Sequence, residues 1–285
     1  PRGHEESRLS PLLALGASLA YGIADFAGTI ATRRSTAVTV AISVQGVGFL
    51  VLAPLAPLLP GEVSLDALLL GAAAGLMGTG GLIIYLRGMA AGPIGVVSPL
   101  AAVTGAAVPV LWGAWLIGER LGPGQRTGVV LALVSVVAVA WVPGTNLRSA
   151  HLTPVLQALV GGVLFGGFFI VLALTPASSG LWPLVGARIA TGAVAYPLLR
   201  LLARPAPLGA ARRSVLLSGV MDTTANVLFV LAARGGLLSV SALLSSLYPV
   251  VALLLARQVL RERLGRLQTA GVAAALVATG LLVAT

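Results

Sequence analysis

Apolar runs of roughly 20 residues follow one another along the chain, separated by short breaks rich in Arg, Pro and Gly. A segment that crosses lipid has no water to satisfy its backbone, so unbroken apolar runs predict helices; barrel strands would alternate at every second residue instead. The pattern predicts an all-α integral membrane protein with ten transmembrane helices, near residues 9–32, 37–59, 66–89, 93–117, 124–142, 153–175, 181–202, 212–234, 236–259 and 266–284. The first eight residues are polar. The run from Leu9 is too long for a signal-peptide core and shows no small-residue cleavage site after it, so it is read as the first helix. No polar stretch exceeds a short loop, which predicts no soluble domain.

The pattern also repeats. The segment "GERLGPGQRTGVVLALV" (118–134) aligns without gaps on "RERLGRLQTAGVAAALV" (261–277), an offset of 143, with ten of seventeen positions identical. The same offset pairs Pro11 with Pro154, Pro54 with Pro197 and Ser98 with Ser241. Two five-helix units follow, residues 1–146 and 147–285. Five is odd, so the halves are predicted to insert with opposite orientation, as two inverted repeats with a binding site between them near the bilayer midplane.

Composition sharpens this picture. The chain is 58% hydrophobic and 9% charged, with a mean hydropathy of +1.02; soluble domains are about 25% charged. It has no cysteine, which excludes disulfides and thiolate metal sites. The net charge of +10 is carried by Arg alone, mostly in the breaks. Without an Arg-rich polar surface or a base-stacking platform, that charge predicts membrane topology rather than a nucleic-acid partner. Twelve Arg follow the odd-numbered helices and five lie on the other side. The positive-inside rule then places both termini outside the cytoplasm.

Several motifs in order resemble the drug/metabolite transporter superfamily, and within it the EamA-type ten-helix permeases. They are the duplicated five-helix unit, the two segments quoted above, the pairs Tyr21-Gly22 and Phe165-Gly166, and "AAGPIGVVSPL" (90–100). The resemblance covers the whole chain. It implies a carrier of small metabolites or drugs in a bacterial cytoplasmic (inner) membrane, usually an exporter, with a central cavity. It also implies gates at the hairpins between helices 3 and 4 and between helices 8 and 9. Members of that family more often keep both termini in the cytoplasm, whereas the Arg distribution here predicts the reverse.

Three ionisable residues fall inside the spans: Asp25, Arg188 and Asp222. Each costs about 2.5–3.5 kcal/mol on insertion scales, so such residues normally face the bundle interior or a wet cavity. At 1.5 Å per residue, Asp25 lies about 12 Å and Asp222 about 14 Å from the same membrane face, within reach of an extended Arg188. Asp25 shares a helical face with Tyr21, Gly22, Gly28 and Thr29, and Asp222 shares one with Ser218 and Asn226. A carboxylate there can hold a proton, a cationic group of the solute or Arg188. The structural alternative for all three is an interhelical ion pair. Gln45 is the repeat partner of Arg188, and Tyr248 precedes Pro249, where the helix loses a hydrogen bond. The substrate or proton site is therefore expected among Asp25, Asp222, Arg188, Tyr21, Asn226, Gln45 and Tyr248.

The tight breaks Gly92-Pro93 and Gly235-Gly236 are the expected gate hairpins. Trp112, Trp115, Trp141 and Trp182 read as interfacial anchors, and Glu119 and Glu262 as ion pairs with the Arg beside them. No buried His, metal-ligand cluster or nucleophile–base pair argues for an enzyme, and no metal or cofactor beyond proton coupling is expected. A single chain of inverted halves argues against a channel, which wants rings of charge in a symmetric oligomer. The leading expectation is a secondary transporter of a small organic solute, working in the bilayer as a monomer or homodimer. A lipid flippase of the same fold is the alternative, and a lateral opening would be its sign.

Overall fold

A computed structural model describes residues 2–91, 94–140, 152–202, 207–259 and 265–283. The predicted hairpin Gly92-Pro93 lies outside them, as do Trp141, His151, Glu262 and Arg263. The described residues form α1 (Arg2–Thr32), α2 (Ala37–Leu55), α3 (Leu65–Ala91), α4 (Ile94–Trp112), α5 (Pro123–Ala140) and α6 (Leu152–Ala173). They continue with α7 (Trp182–Leu202), α8 (Arg212–Gly235), α9 (Leu238–Ser245), α10 (Tyr248–Val259) and α11 (Arg266–Val283), with no strand among them.

Among the described residues, seven stretches are long and apolar enough to cross a bilayer: Leu9–Thr32, Val38–Leu58, Leu65–Tyr85, Leu100–Ile117, Leu152–Ala173, Gly209–Gly235 and Leu238–Val259. Pro123–Ala138 and Arg266–Leu282 are shorter apolar helices. The chain is an integral membrane protein.

The stretch predicted as one helix over 236–259 is two. α9 ends at Ser245: the Ser246 N–H still donates to the Ala242 carbonyl as in a helix, but the Leu247 N–H turns to the Leu244 carbonyl, three residues back. α10 restarts at Tyr248, with Pro249 in its first turn, where a residue lacking an N–H is tolerated. α4 does not end as a plain α-helix. It passes into a π-turn over Gly113–Ile117 that stops at Gly118, whose φ of 73° suits a residue without Cβ.

Packing inverts the pattern of a soluble protein. Alanines such as Ala14, Ala74, Ala106, Ala232 and Ala278 are fully buried, while Leu50, Leu201 and Leu276 point outward. Lipid tails are as apolar as leucine, so burying large side chains gains little and close backbone approach decides the contacts. Gly71 and Gly75 of α3 lie against the backbone of Pro183 and Ala187 in α7, where an added Cβ would overlap main-chain atoms. Gly219 of α8 does the same against Val44 and Val47 of α2, and Gly22 of α1 against Val251 and the Tyr248 carbonyl of α10. Gly22 thus makes room for a helix rather than for a ligand. α1 runs along α8, α2 touches both α7 and α8, and α10 lies across α1. These five helices surround the residues singled out in the sequence.

Trp112 and Trp182 are corrected by this packing. Both turn inward onto the cluster around Phe229, and the Trp112 indole N–H is buried without a partner. Trp115 is largely exposed, as an anchor should be.

Candidate functional site

Arg188 comes from the first half of α7 and Asp222 from the middle of α8. The guanidinium Nη2 donates to Asp222 Oδ2 at 2.5 Å, with 8% of the Arg188 side chain and 27% of the Asp222 side chain exposed. To reach α8 the arginine passes α2 at Gly48. A Cβ there would stand 2.9 Å from Arg188 Nε and 2.7 Å from Thr223 Oγ1. The missing side chain of Gly48 is what lets this pair close.

The same carboxylate oxygen accepts a second bond, from Asn226 Nδ2 at 3.2 Å, and that amide also donates to the Asp222 carbonyl at 2.7 Å. Spacing of four on one helix sets this contact. Asn226 Oδ1 in turn accepts from the Tyr21 hydroxyl at 2.9 Å, which joins α8 to α1. A continuous polar chain therefore runs Tyr21–Asn226–Asp222–Arg188 across three helices. The Tyr21 ring meets Phe169 edge-on and tilts against Tyr248, both with centroids 6.2 Å apart. The Tyr21 phenol thus points at the amide while its ring closes the cluster on α6 and α10.

Asp25 lies one turn beyond Tyr21 on the same face of α1. It is exposed to the space beside the bundle and has no hydrogen-bond or ion-pair partner among the described residues. Tyr248 is near enough to feel its charge. Below Asp25, the backbone of α1 is fixed by Ser218 of α8, whose hydroxyl donates to the Ala24 carbonyl at 2.8 Å. Of the two intramembrane carboxylates, one is paired and one is available.

Gln45 sits on α2 beside the cluster but outside its hydrogen-bond chain. Its Oε1 is buried and has no partner, as is Thr223 Oγ1. Gln45 and Arg188 both line a groove of about 410 Å³ between α2 and α7.

At the end of the bundle where α8 meets α9, Gly235 closes α8 and Gly236 is extended. The Ser10 side chain lies against Gly236, and its hydroxyl donates to the Ala232 carbonyl at 2.6 Å. Glu119 behaves otherwise than expected. Its carboxylate accepts the N–H of Leu238 at 2.7 Å and of Ser239 at 3.1 Å, and also the Ser239 hydroxyl. Those are free donors of the first turn of α9, and a carboxylate is favoured there by the helix dipole. Arg120, the partner expected from adjacency, offers one side-chain cation; the helix start offers several aligned donors. Arg234, in the last turn of α8, donates to the carbonyls of Gly180 at 3.0 Å and Pro176 at 3.1 Å. These two charged residues tie α4 to α9 and α8 to the α6–α7 connection. Sequence reasoning missed both roles, because each partner lies more than 50 residues away and is a backbone group.

Comparison with known proteins agrees with this architecture. The profile of the EamA-like transporter family matches residues 8–141 and again residues 152–284. A solved crystal structure of a protein with 18% sequence identity superposes with a TM-score of 0.80, covering 96% of each chain, which shows the fold alone. No curated protein matches the chain. With both profile matches together spanning nearly its whole length, the chain belongs to the EamA-like transporter family.

Proposed function

We propose that the protein is a secondary active transporter that moves a small organic solute through a cavity bounded by α1, α7, α8 and α10, by alternating access between two inverted five-helix repeats. One observation carries this reading: an intramembrane ion pair, Arg188–Asp222, linked by Asn226 to Tyr21 and standing beside the uncommitted carboxylate Asp25. Arg188 and Asp222 neutralise each other, so Asp25 remains to hold a proton or the positive group of the solute in turn. That exchange is the minimal chemistry of proton-coupled export. Gly22 lies against Val251 and Gly166 against Val108, similar contacts whose glycines stand 144 and whose valines stand 143 residues apart, which supports the repeat. The ties made by Glu119 and Arg234 support closure at the α8–α9 hairpin, and the Arg distribution supports an extracytoplasmic position for that end and for both termini. The Gly92-Pro93 hairpin is the proposed opposite gate, in a bacterial inner membrane, in a monomer or a homodimer.

Proteoliposomes test this. A carrier shows trans-stimulation in counterflow, and an imposed pH gradient drives uptake of the solute. Gradient-driven transport left undiminished when Asp25→Asn and Asp222→Asn are combined would sink the proposal. A lipid flippase is the second reading, favoured by the groove between α2 and α7, whose rim residues Phe49, Ile189 and Tyr196 are exposed.

A further inference from the structure

The end of the bundle where α1 stops and α8 starts carries an unbalanced charge. Arg33 and Arg34 follow α1, Arg212 and Arg213 open α8, and all four are exposed. They share one surface, because the helix ends that bear them are packed together. Ala31, Val40, Ala211 and Val215, from α1, α2 and the start of α8, form one buried cluster, and Arg34 Nη1 donates to the Ala210 carbonyl at 3.2 Å. None of these segments supplies a balancing carboxylate. The sequence has no Asp or Glu between Asp25 and Glu62, nor between Glu119 and Asp222. The acidic residues of α1 and α8 that come closest along the chain are Asp25 and Asp222, more than two turns inside their helices. Four like charges gathered on a small core of Ala and Val repel one another, and an anion from outside relieves that repulsion.

The helix surface beside the arginines is apolar and outward-facing. Leu216 and Val220 follow Arg212 at helical spacing, and Leu217 follows Arg213. All three are exposed, as is Val38 at the start of α2. A soluble anion would use the charges alone. A molecule that presents phosphate to the arginines and hydrocarbon to the leucines uses both.

We infer that the α1–α2 turn and the start of α8 form a seat for one anionic phospholipid. Its phosphate lies among Arg33, Arg34, Arg212 and Arg213, and its acyl chains lie along Leu216, Leu217 and Val38. Guanidinium groups suit the task, because their paired N–H donors match phosphate oxygens. A zwitterionic headgroup carries a cation that the same four charges repel, so the seat prefers phosphatidylglycerol to phosphatidylcholine. The lipid ties together the ends of the two helices that carry Asp25 and Asp222. The inference goes beyond the transport reading and does not depend on it.

The test uses the full chain in dodecyl maltoside, titrated with dioleoyl phosphatidylglycerol, dioleoyl phosphatidylcholine or the soluble headgroup glycerophosphoglycerol. Melting temperature and native mass spectrometry are the readouts. Phosphatidylglycerol should raise the melting temperature and stay bound as one copy, and the other two should do neither. An arginine near an anionic surface is worth about a factor of five, so Arg212→Gln with Arg213→Gln should weaken phosphatidylglycerol binding about 25-fold. Arg33→Gln with Arg34→Gln should do the same. Arg212 and Arg213 are exposed, so the first pair is expected to fold as the parent does, and its melting temperature without lipid verifies this. Arg120→Gln with Arg126→Gln, at the end of the bundle where Glu119 caps α9, should leave binding unchanged. Equal retention of phosphatidylcholine, or an unchanged phosphatidylglycerol affinity in both pairs of variants, overturns the seat. A loss as large in the Arg120, Arg126 control would mean bulk charge and would overturn it too. Glycerophosphoglycerol binding as tightly as the lipid would mean a soluble-anion site, which equally overturns the seat.

Discussion

Asp25 and Asp222 are the same residue type on two helices that pack along one another, and their surroundings differ almost completely. Asp222 accepts from Arg188 and from Asn226 on a single oxygen. Asp25 has only the nearby phenol of Tyr248 and open space beside it. The difference teaches that a carboxylate in a membrane helix is either a structural charge with its counterion or a free ligand. Which one is decided by whether a neighbouring helix brings a cation within reach. α7 brings Arg188 to α8, through the notch at Gly48; no described helix brings a cation to α1. If this contrast is right, disturbing the two sites should separate stability from transport.

The largest expected effect on stability is at the pair. Arg188→Leu leaves Asp222 charged without its counterion, with only the Asn226 amide donating to it, and the cost should be about 3 kcal/mol, at the lower end for a broken buried pair because Asp222 is partly exposed. Thermal melting in detergent measures it. Adding Asp222→Leu should restore most of that loss, since removing both charges is far cheaper than removing one. Transport should be lost in both variants. A double variant no more stable than Arg188→Leu would mean that the pair contributes little, and the contrast between the carboxylates would lose its basis.

Gly48→Ala comes next. The new methyl would crowd both Arg188 Nε and Thr223 Oγ1, so the arginine must move or the helices must part. Overpacking of this kind costs about 1–3 kcal/mol. Destabilisation should be smaller when Gly48→Ala is placed on the Arg188→Leu, Asp222→Leu background, where the guanidinium is gone and only Thr223 Oγ1 is still crowded. Persistence of the full cost there would show that Gly48 serves helix contact alone.

This residue also marks the limit of what the sequence could disclose. The spans, the repeat and the rarity of intramembrane charge were legible because hydropathy and cost are properties of single residues summed along the chain. The pairing of Arg188 with a carboxylate was legible as a matter of depth, because helix rise is fixed. Gly48 carried no signal, since one glycine among 36 is distinguished only by what passes over it. The break at Ser246 was half visible. Pro249 announces a lost hydrogen bond, but Pro54 and Pro197 sit inside unbroken helices, so the residue alone does not say whether the helix bends or stops. Glu119 was misread because adjacency in sequence pointed to Arg120, whereas the strongest donors in reach belonged to the start of α9. Interactions with backbone groups of distant segments leave no pattern in composition or period.

Tyr21→Phe removes one hydrogen bond from the chain that links α1 to the paired carboxylate. Asn226 keeps both of its donations to Asp222, so the loss should be about 1 kcal/mol. Transport should slow, with the solute affinity weakened more than the maximal rate, because the phenol orients the amide rather than carrying charge.

The smallest expected effect on stability is at Asp25, and it sharpens the comparison most. Asp25→Asn breaks no contact within the described residues, so the melting temperature in detergent should stay within the roughly 0.5 kcal/mol typical of substitutions that touch nothing. Yet an amide neither exchanges a proton nor balances a cation. Uptake driven by a pH gradient should therefore disappear, while counterflow at equal pH is reduced to the extent that the solute's charge was held there. A variant as unstable as Arg188→Leu would show that Asp25 has a counterion after all and is structural. A stable variant with full gradient-driven uptake would move the coupling to Asp222, whose proton would then have to compete with Arg188 at the same oxygen.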